Sequence, residues 1–261
     1  MFPIKLKPHF IKNSKLIRLG SIDDGGYVVP KKVLKNTDYL ISFGISDNWD
    51  FERHFARLSN CNVDSYDYSI DSTFWINRFR KDLFKFMCLK IFKPKKLYKM
   101  FQFLDFIIFF KLNKKNSFSL KKIGIGKKLI SLKEIVNSKK KISKIFLKID
   151  IEGSEYEILD EINHYKNLIT GIVIEFHGTS KNMKKIISFI YKLKDRLSLV
   201  HIHGNNYSIK SVNQKPEAIE LTFVSNQLFI KENRKNNKSY PIKGLDHPNS
   251  KRSKDLILRF N

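Results

Sequence analysis

Short apolar runs that alternate with helical stripes constrain this chain more than any other feature. Residues 39–44 (YLISFG), 63–67 (VDSYD), 145–151 (IFLKIDI) and 171–177 (GIVIEFH) read as strands. Between and after them, apolar residues recur at helical spacing: Phe51, Phe55 and Leu58; Tyr156, Leu159 and Ile162; Ile186, Ile190, Leu193 and Leu197. Ser46 or Asp47 is placed to cap the first of these helices. Strand–helix alternation implies a mostly parallel, doubly wound sheet with right-handed crossovers. The last two strong runs, 198–203 and 218–224, have only a loop between them, so an antiparallel hairpin is expected to finish the sheet. At 261 residues the chain suits one α/β domain spanning 1–261 with an insertion.

The insertion is expected at about 71–117, where aromatics interleave with Lys and Arg. Its most apolar part, FQFLDFIIFF, is about ten residues long and contains Asp105, too short and polar to span a bilayer. A helical lid, a subunit contact or a membrane-surface helix are the roles open to it. From about residue 231 the tail is polar and is expected to be irregular. The net charge of +25 admits anionic partners, but an AT-rich coding bias toward Lys, Asn, Ile and Phe explains it as well. The two cysteines form no metal spacing or disulfide framework, and the first ten residues hold no apolar leader core. A cytoplasmic enzyme, with contact at the inner membrane face and homodimerisation left open, is the expectation.

In an open α/β sheet, ligands bind beyond the carboxyl ends of the strands. Polar residues collect at those ends: Gly44, Ser46 and Asn48; Asp67; Asp150 and Glu152; Glu175 and His177; His201, His203, Asn205 and Asn206. Gly44 suits a close backbone approach. Asp67 suits a ribose diol or a loop turn equally. Asp150, Glu175 and His203 form a set able to do acid–base work or hold a hard divalent cation. SIDDGGYVVP at 21–30 reads as a glycine-bearing turn before a strand.

The stretch FLKIDIEGSEYEIL (146–159) resembles the core motif of FkbM-type S-adenosylmethionine-dependent methyltransferases. DGGYVVP (24–30), ISFGISDNWDFE (41–52), IVIEFH (172–177) and HIHGNNY (201–207) look like further parts of the same family, in the right order. The resemblance implies a Rossmann-like class I methyltransferase fold. It implies cofactor contacts at Gly26, Gly44, Ser46, Glu52, Asp67, Tyr68, Gly124 and Asp150, with the adenine near Gly124. The first loop, GISDN, has fewer glycines than the common methyltransferase motif. Such enzymes typically methylate hydroxyls of sugars or secondary metabolites, so a sugar or nucleotide-sugar acceptor in capsule or lipopolysaccharide synthesis is expected. His203 or His177 would act as base, with Asp150, and Glu152, His201, Asn205 and Asn206 would face the acceptor. Magnesium or manganese would sit on Asp150, Glu175 and His203. Charge keeps an RNA methyltransferase, or a non-catalytic membrane-surface protein, as the alternative. Acids crowded at the cleft argue against a phosphate backbone lying there.

Overall fold

The computed structural model describes residues 1–12, 14–89, 101–126, 129–139, 142–207, 209–210 and 215–261. In chain order its strands and helices are β1 (His9–Lys12), β2 (Leu16–Leu19), β3 (Tyr27–Pro30), α1 (Lys31–Leu34), β4 (Tyr39–Phe43), α2 (Asp50–Ser59), β5 (Asn62–Tyr66) and α3 (Ser72–Leu89). There follow α4 (Gln102–Ile107), a π-helical turn (Ile108–Leu112), β6 (Asn116–Ser119), α5 (Leu132–Ser138) and β7 (Ile145–Ile149). A 3-10 turn (Ser154–Glu157) leads into α6 (Leu159–His164), β8 (Ile169–His177), α7 (Thr179–Leu193) and β9 (Leu197–Gly204). Last come the short pair β10 (Ile209–Lys210) and β11 (Lys215–Pro216), then β12 (Ala218–Ser225) and β13 (Ile230–Lys235).

The main sheet has seven strands in the order β6-β5-β4-β7-β8-β12-β9. β4 to β8 pair in parallel, and β12 runs antiparallel between β8 and β9. The closing hairpin expected from the sequence is present, with β12 inserted beside β8 rather than added at the edge. This order, with one reversed strand next to the edge, defines the class I methyltransferase sheet.

Side-chain alternation sorts the strands onto two faces. Ile145, Leu147 and Ile149 join Ile135, Ile162, Ile186 and Phe189 in one core. Phe146 points the other way and packs with Leu40, Val63, Phe51, Phe55 and Val29. Lys148 shares that second face. Being a lysine, it marks where the core gives way to the site. A third cluster, Ile45, Trp49, Ile70, Phe106 and Phe110, glues the insertion to the loop after β4.

The described part of the insertion is helical, as expected; residues 90–100 lie outside the described residues. Three details differ from the sequence reading. Its last residues form β6, a sheet strand, because Val63 and Tyr66 register against Asn116 and Ser119. Neither Ser46 nor Asp47 caps α2: its N-cap is Trp49, which makes no side-chain capping hydrogen bond, while Asn48 Oδ1 accepts from the Asp50 amide, and Leu58 faces outward. Part of the tail is ordered as β13, which pairs with β1.

Candidate active site

Gly44 ends β4 at φ +73°, and a Cβ there would lie 1.7 Å from the Asp150 carbonyl oxygen. Only glycine allows the ends of β4 and β7 to come this close. The loop after it is held by Asp67, at the end of β5. Asp67 Oδ2 accepts from the amides of Ile45 (3.0 Å) and Ser46 (2.8 Å). Its Oδ1 accepts from the Ser69 amide and hydroxyl at 2.8 and 2.6 Å. All four ordinary acceptor positions of the carboxylate are thus engaged in shaping the loop.

A cavity of about 440 Å³ opens over these strand ends. Of the residues expected to touch cofactor, Gly44, Ser46, Asp67, Tyr68 and Asp150 line it, and so does Glu152. Glu52, Gly26 and Gly124 are not among its lining residues. Glu52 is fully buried on α2, where it accepts from the Ser42 hydroxyl and lies 3.9 Å from Lys148 Nζ. Burial raises its carboxyl, against the Lys148 charge and the Ser42 hydrogen bond. Lys148 also donates to the Gly44 carbonyl, tying the buried ion pair to the turn. Gly26 packs against the Ser21 carbonyl, and Gly124 beside Leu129 and Glu157.

Next to the cavity stands a knot of acids. The Tyr27 hydroxyl donates to Asp150 Oδ2 at 3.1 Å, and Asn205 Nδ2 donates to Glu175 Oε1 at 2.7 Å. Burial raises the Asp150 carboxyl, opposed by the charges of Lys148 and His177. Burial, and then the charges of Asp150 and Glu220, hold Glu175 well above the usual carboxylate range. His177 Nδ1 lies 3.2 Å from Oε1 of the fully buried Glu155. Its Nε2 lies 3.5 Å from Glu152 Oε2 and 3.7 Å from Glu175 Oε1. Burial works against a charged His177 ring, but the Glu155 hydrogen bond and charge, with those of Asp150 and Glu152, outweigh it and raise its pKa.

His203 does not join this knot, which corrects the triad expected from sequence. Glu175 pairs with Glu220, and Glu220 with His203, so β12 separates the two. Two strand spacings amount to roughly 10 Å. His203 is 1% exposed, its Nδ1 3.2 Å from Glu220 Oε2 and its Nε2 3.0 Å from Asp255 Oδ1. Burial opposes its charge, yet Glu220 and Asp255 raise its pKa to about 10. With both ring nitrogens engaged and the side chain shut from solvent, His203 offers no open nitrogen to a substrate proton. His201 is likewise buried, 3.2 Å from Asp246. Asn206 is tied to Ser250 and Ser253. These three are shut beneath the tail, not open to an acceptor. The group that the structure does bring together is Asp150, Glu175 and His177, each offering one donor atom within 4.8 Å of the others.

Sequence reading missed four contributors. Tyr27 opens β3 just after the glycine-bearing turn, but nothing local aims its hydroxyl at Asp150. Glu155 lies inside the quoted motif, but nothing in the sequence marks it as buried against His177. Asn249 Nδ2 donates to both Asp24 Oδ1 (3.0 Å) and Glu220 Oε1 (2.8 Å). Asp255 clamps His203. Asn249 and Asp255 come from the aperiodic tail, where no sequence signal marks them.

Residues 94–200 match the sequence model of the methyltransferase FkbM domain. No curated protein matches the chain. Solved structures with similarity include a precorrin-6y C5,15-methyltransferase from Geobacter metallireducens, 11% identical, covering 74% of this chain and 83% of that one at a TM-score of 0.38. An rRNA methylase from Streptococcus thermophilus is 11% identical over 75% and 90%, TM-score 0.39. The fibrillarin pre-rRNA processing protein of Methanococcus jannaschii is 12% identical over 83% and 84%, TM-score 0.38. Sheet order and family match define the class: the chain is an S-adenosylmethionine-dependent methyltransferase. Over residues 94–200 it is similar to the methyltransferase FkbM domain.

Proposed function

We propose that this enzyme transfers the methyl group of S-adenosylmethionine to a hydroxyl of a sugar or nucleotide-sugar, with His177 Nε2 as the proton acceptor. The observation that carries the reading is the orientation of His177. Glu155 fixes one ring nitrogen, leaving the other turned to Glu152 and Glu175 beside the cofactor cavity. In the step proposed, the acceptor oxygen attacks the sulfonium methyl carbon, the carbon–sulfur bond breaks and S-adenosylhomocysteine leaves. The hydroxyl proton passes to Nε2. Alignment of oxygen and methyl supplies most of the acceleration, and the base removes a proton that a hydroxyl gives up poorly. Asp24, Asp150 and Glu152 form an acceptor-rich wall suited to the many donors of a sugar. The FkbM resemblance favours an acceptor destined for a surface polysaccharide.

The test is mass-spectrometric detection of S-adenosylhomocysteine and a methylated product over a panel of sugars and nucleotide-sugars. His177→Asn should lower turnover roughly 10²–10⁴-fold while cofactor binding persists, the usual size of a general-base effect. Turnover within a few-fold of wild type would remove His177 from the role.

A divalent cation is a second reading, favoured by the 4.8 Å grouping of Asp150, Glu175 and His177. The donors fit magnesium or manganese: two carboxyls whose mutual repulsion a cation would offset, and an imidazole. When bound, such an ion would lower the pKa of an acceptor hydroxyl. His177 would then be a ligand, not a base. Loss of turnover in chelator, restored by manganese, selects this version; indifference to chelator selects the first.

A further inference from the structure

The insertion presents an apolar face that no other described residue covers. Phe106 and Phe110 turn inward to Trp49 and Phe118. On the opposite side Leu104, Ile108 and Leu112, four residues apart, are 54%, 59% and 70% exposed. On α3, Ile76 and Phe79 are 51% and 53% exposed. Between α3 and α4 runs a groove of about 740 Å³, lined mainly by Trp75, Ile76, Phe79, Leu83, Phe103 and Leu104. An exposed aromatic and aliphatic patch of this kind marks an interaction surface.

Charge selects the occupant. Arg80, on the groove rim, and Lys81, Lys111 and Lys114 beside the patch are exposed. The chain as a whole carries +25. Apolar side chains flanked by exposed cations match the boundary of an anionic bilayer, where hydrocarbon lies beneath phosphate. Ile76, Leu83, Leu104, Ile108 and Leu112 offer no planar platform for bases, and the interleaved aromatics suit the bilayer interface, so the patch as a whole fits lipid better than RNA. No described helix is long and apolar enough to cross a membrane, so the contact is peripheral. We infer that the exposed face of α3 and α4 docks this enzyme on an anionic phospholipid bilayer. The docking face connects to the cofactor cavity: Arg78 pairs with Asp47, and Gln102 donates to the Asp47 carbonyl. Asp47 lines the cavity. The inference stands independently of the acceptor proposed above.

The experiment is flotation of the full chain with vesicles of phosphatidylcholine alone or mixed with phosphatidylglycerol, at low and high salt. The chain should float with the phosphatidylglycerol vesicles, most strongly at low salt. The double variant Phe79→Asp, Leu104→Asp should lower partitioning roughly tenfold or more, since each side chain loses its transfer into hydrocarbon. Both positions are exposed, so melting temperature and S-adenosylmethionine binding should not change, and those controls separate lost docking from misfolding. Absence of flotation overturns the inference. So does flotation that the double variant leaves intact, which would be adsorption by net charge alone. Light scattering that shows a dimer dissolved by the same variant, without vesicle binding, assigns the face to a second copy. Loss of oligonucleotide binding in the variant, without vesicle binding, assigns it to nucleic acid.

Discussion

His203 shows how a residue's surroundings reverse what its position promises. By position it ends β9 at the edge where ligands bind, which is why the sequence nominated it. Its fate is set by Glu220, 17 residues on, and by Asp255, 52 residues on. Neither contact has a periodic signature. Gly44, by contrast, was legible, since a glycine closing the first strand is what a close approach needs. The arrangement of His203 has a measurable consequence. Its folded pKa, about 10, stands above its ordinary 6.5. A pKa raised on folding means the native state holds the proton more tightly. The associated stability is therefore fully present below about pH 6.5 and is lost as pH rises through about 10. Urea unfolding across that window should show stability falling, by on the order of 5 kcal/mol from this group. His203→Gln should flatten the fall while lowering stability at pH 6. A variant whose pH profile parallels wild type would show that the ring is not charged in the folded protein.

At the scale of elements, periodicity found the strands and helices of the sheet, because each has one buried face and the sequence must repeat accordingly. It lost β6, whose Asn116, Ser117 and Ser119 carry no apolar run and which pairs only at a sheet edge. It also lost the tail, which beyond β13 braces the site through isolated hydrogen bonds. Asn249 is the clearest case, bridging Asp24 on the β2–β3 turn to Glu220 in β12. Burial raises the Asp24 carboxyl and the Asn249 hydrogen bond lowers it, so the amide helps keep that acid ionised beside the cavity. Asn249→Ala leaves both acceptors without this donor. The expected cost is about 1–3 kcal/mol of folding stability, the usual penalty for an orphaned buried polar group. Chemical denaturation measures it. A loss below about 0.5 kcal/mol would mean that the tail rests on the site without bracing it.

The whole molecule separates its charges. Among the described residues, seven of the Asp and Glu are buried, at positions 52, 64, 67, 155, 175, 220 and 246, while Lys148 is the one buried lysine or arginine. The surface is therefore more one-sidedly basic than 50 cations against 25 acids already suggests. Composition alone left open whether the charge was coding bias or a binding signal. Burial of the acids adds that it acts outward, on solvent and partners, whatever its origin. Like charges spread over one surface repel and destabilise the compact state. Surface ion pairs return little: Lys166–Asp195 and Lys192–Asp160 each have an aspartate more than half exposed. Added sodium chloride should screen the repulsion more than it weakens those pairs, because the Debye length contracts from about 10 Å at 0.1 M to about 3 Å at 1 M. The melting temperature should therefore rise with sodium chloride over this range, by several degrees, where a protein held by surface ion pairs would lose stability. Sodium sulfate is unsuitable as the only salt, since it also strengthens apolar burial. A melting temperature that falls as sodium chloride is added would mean that local ion pairs outweigh the net charge. The same measurement on His203→Gln separates the buried pair from the surface, because an ion pair shut away from solvent is screened far less than charges in water.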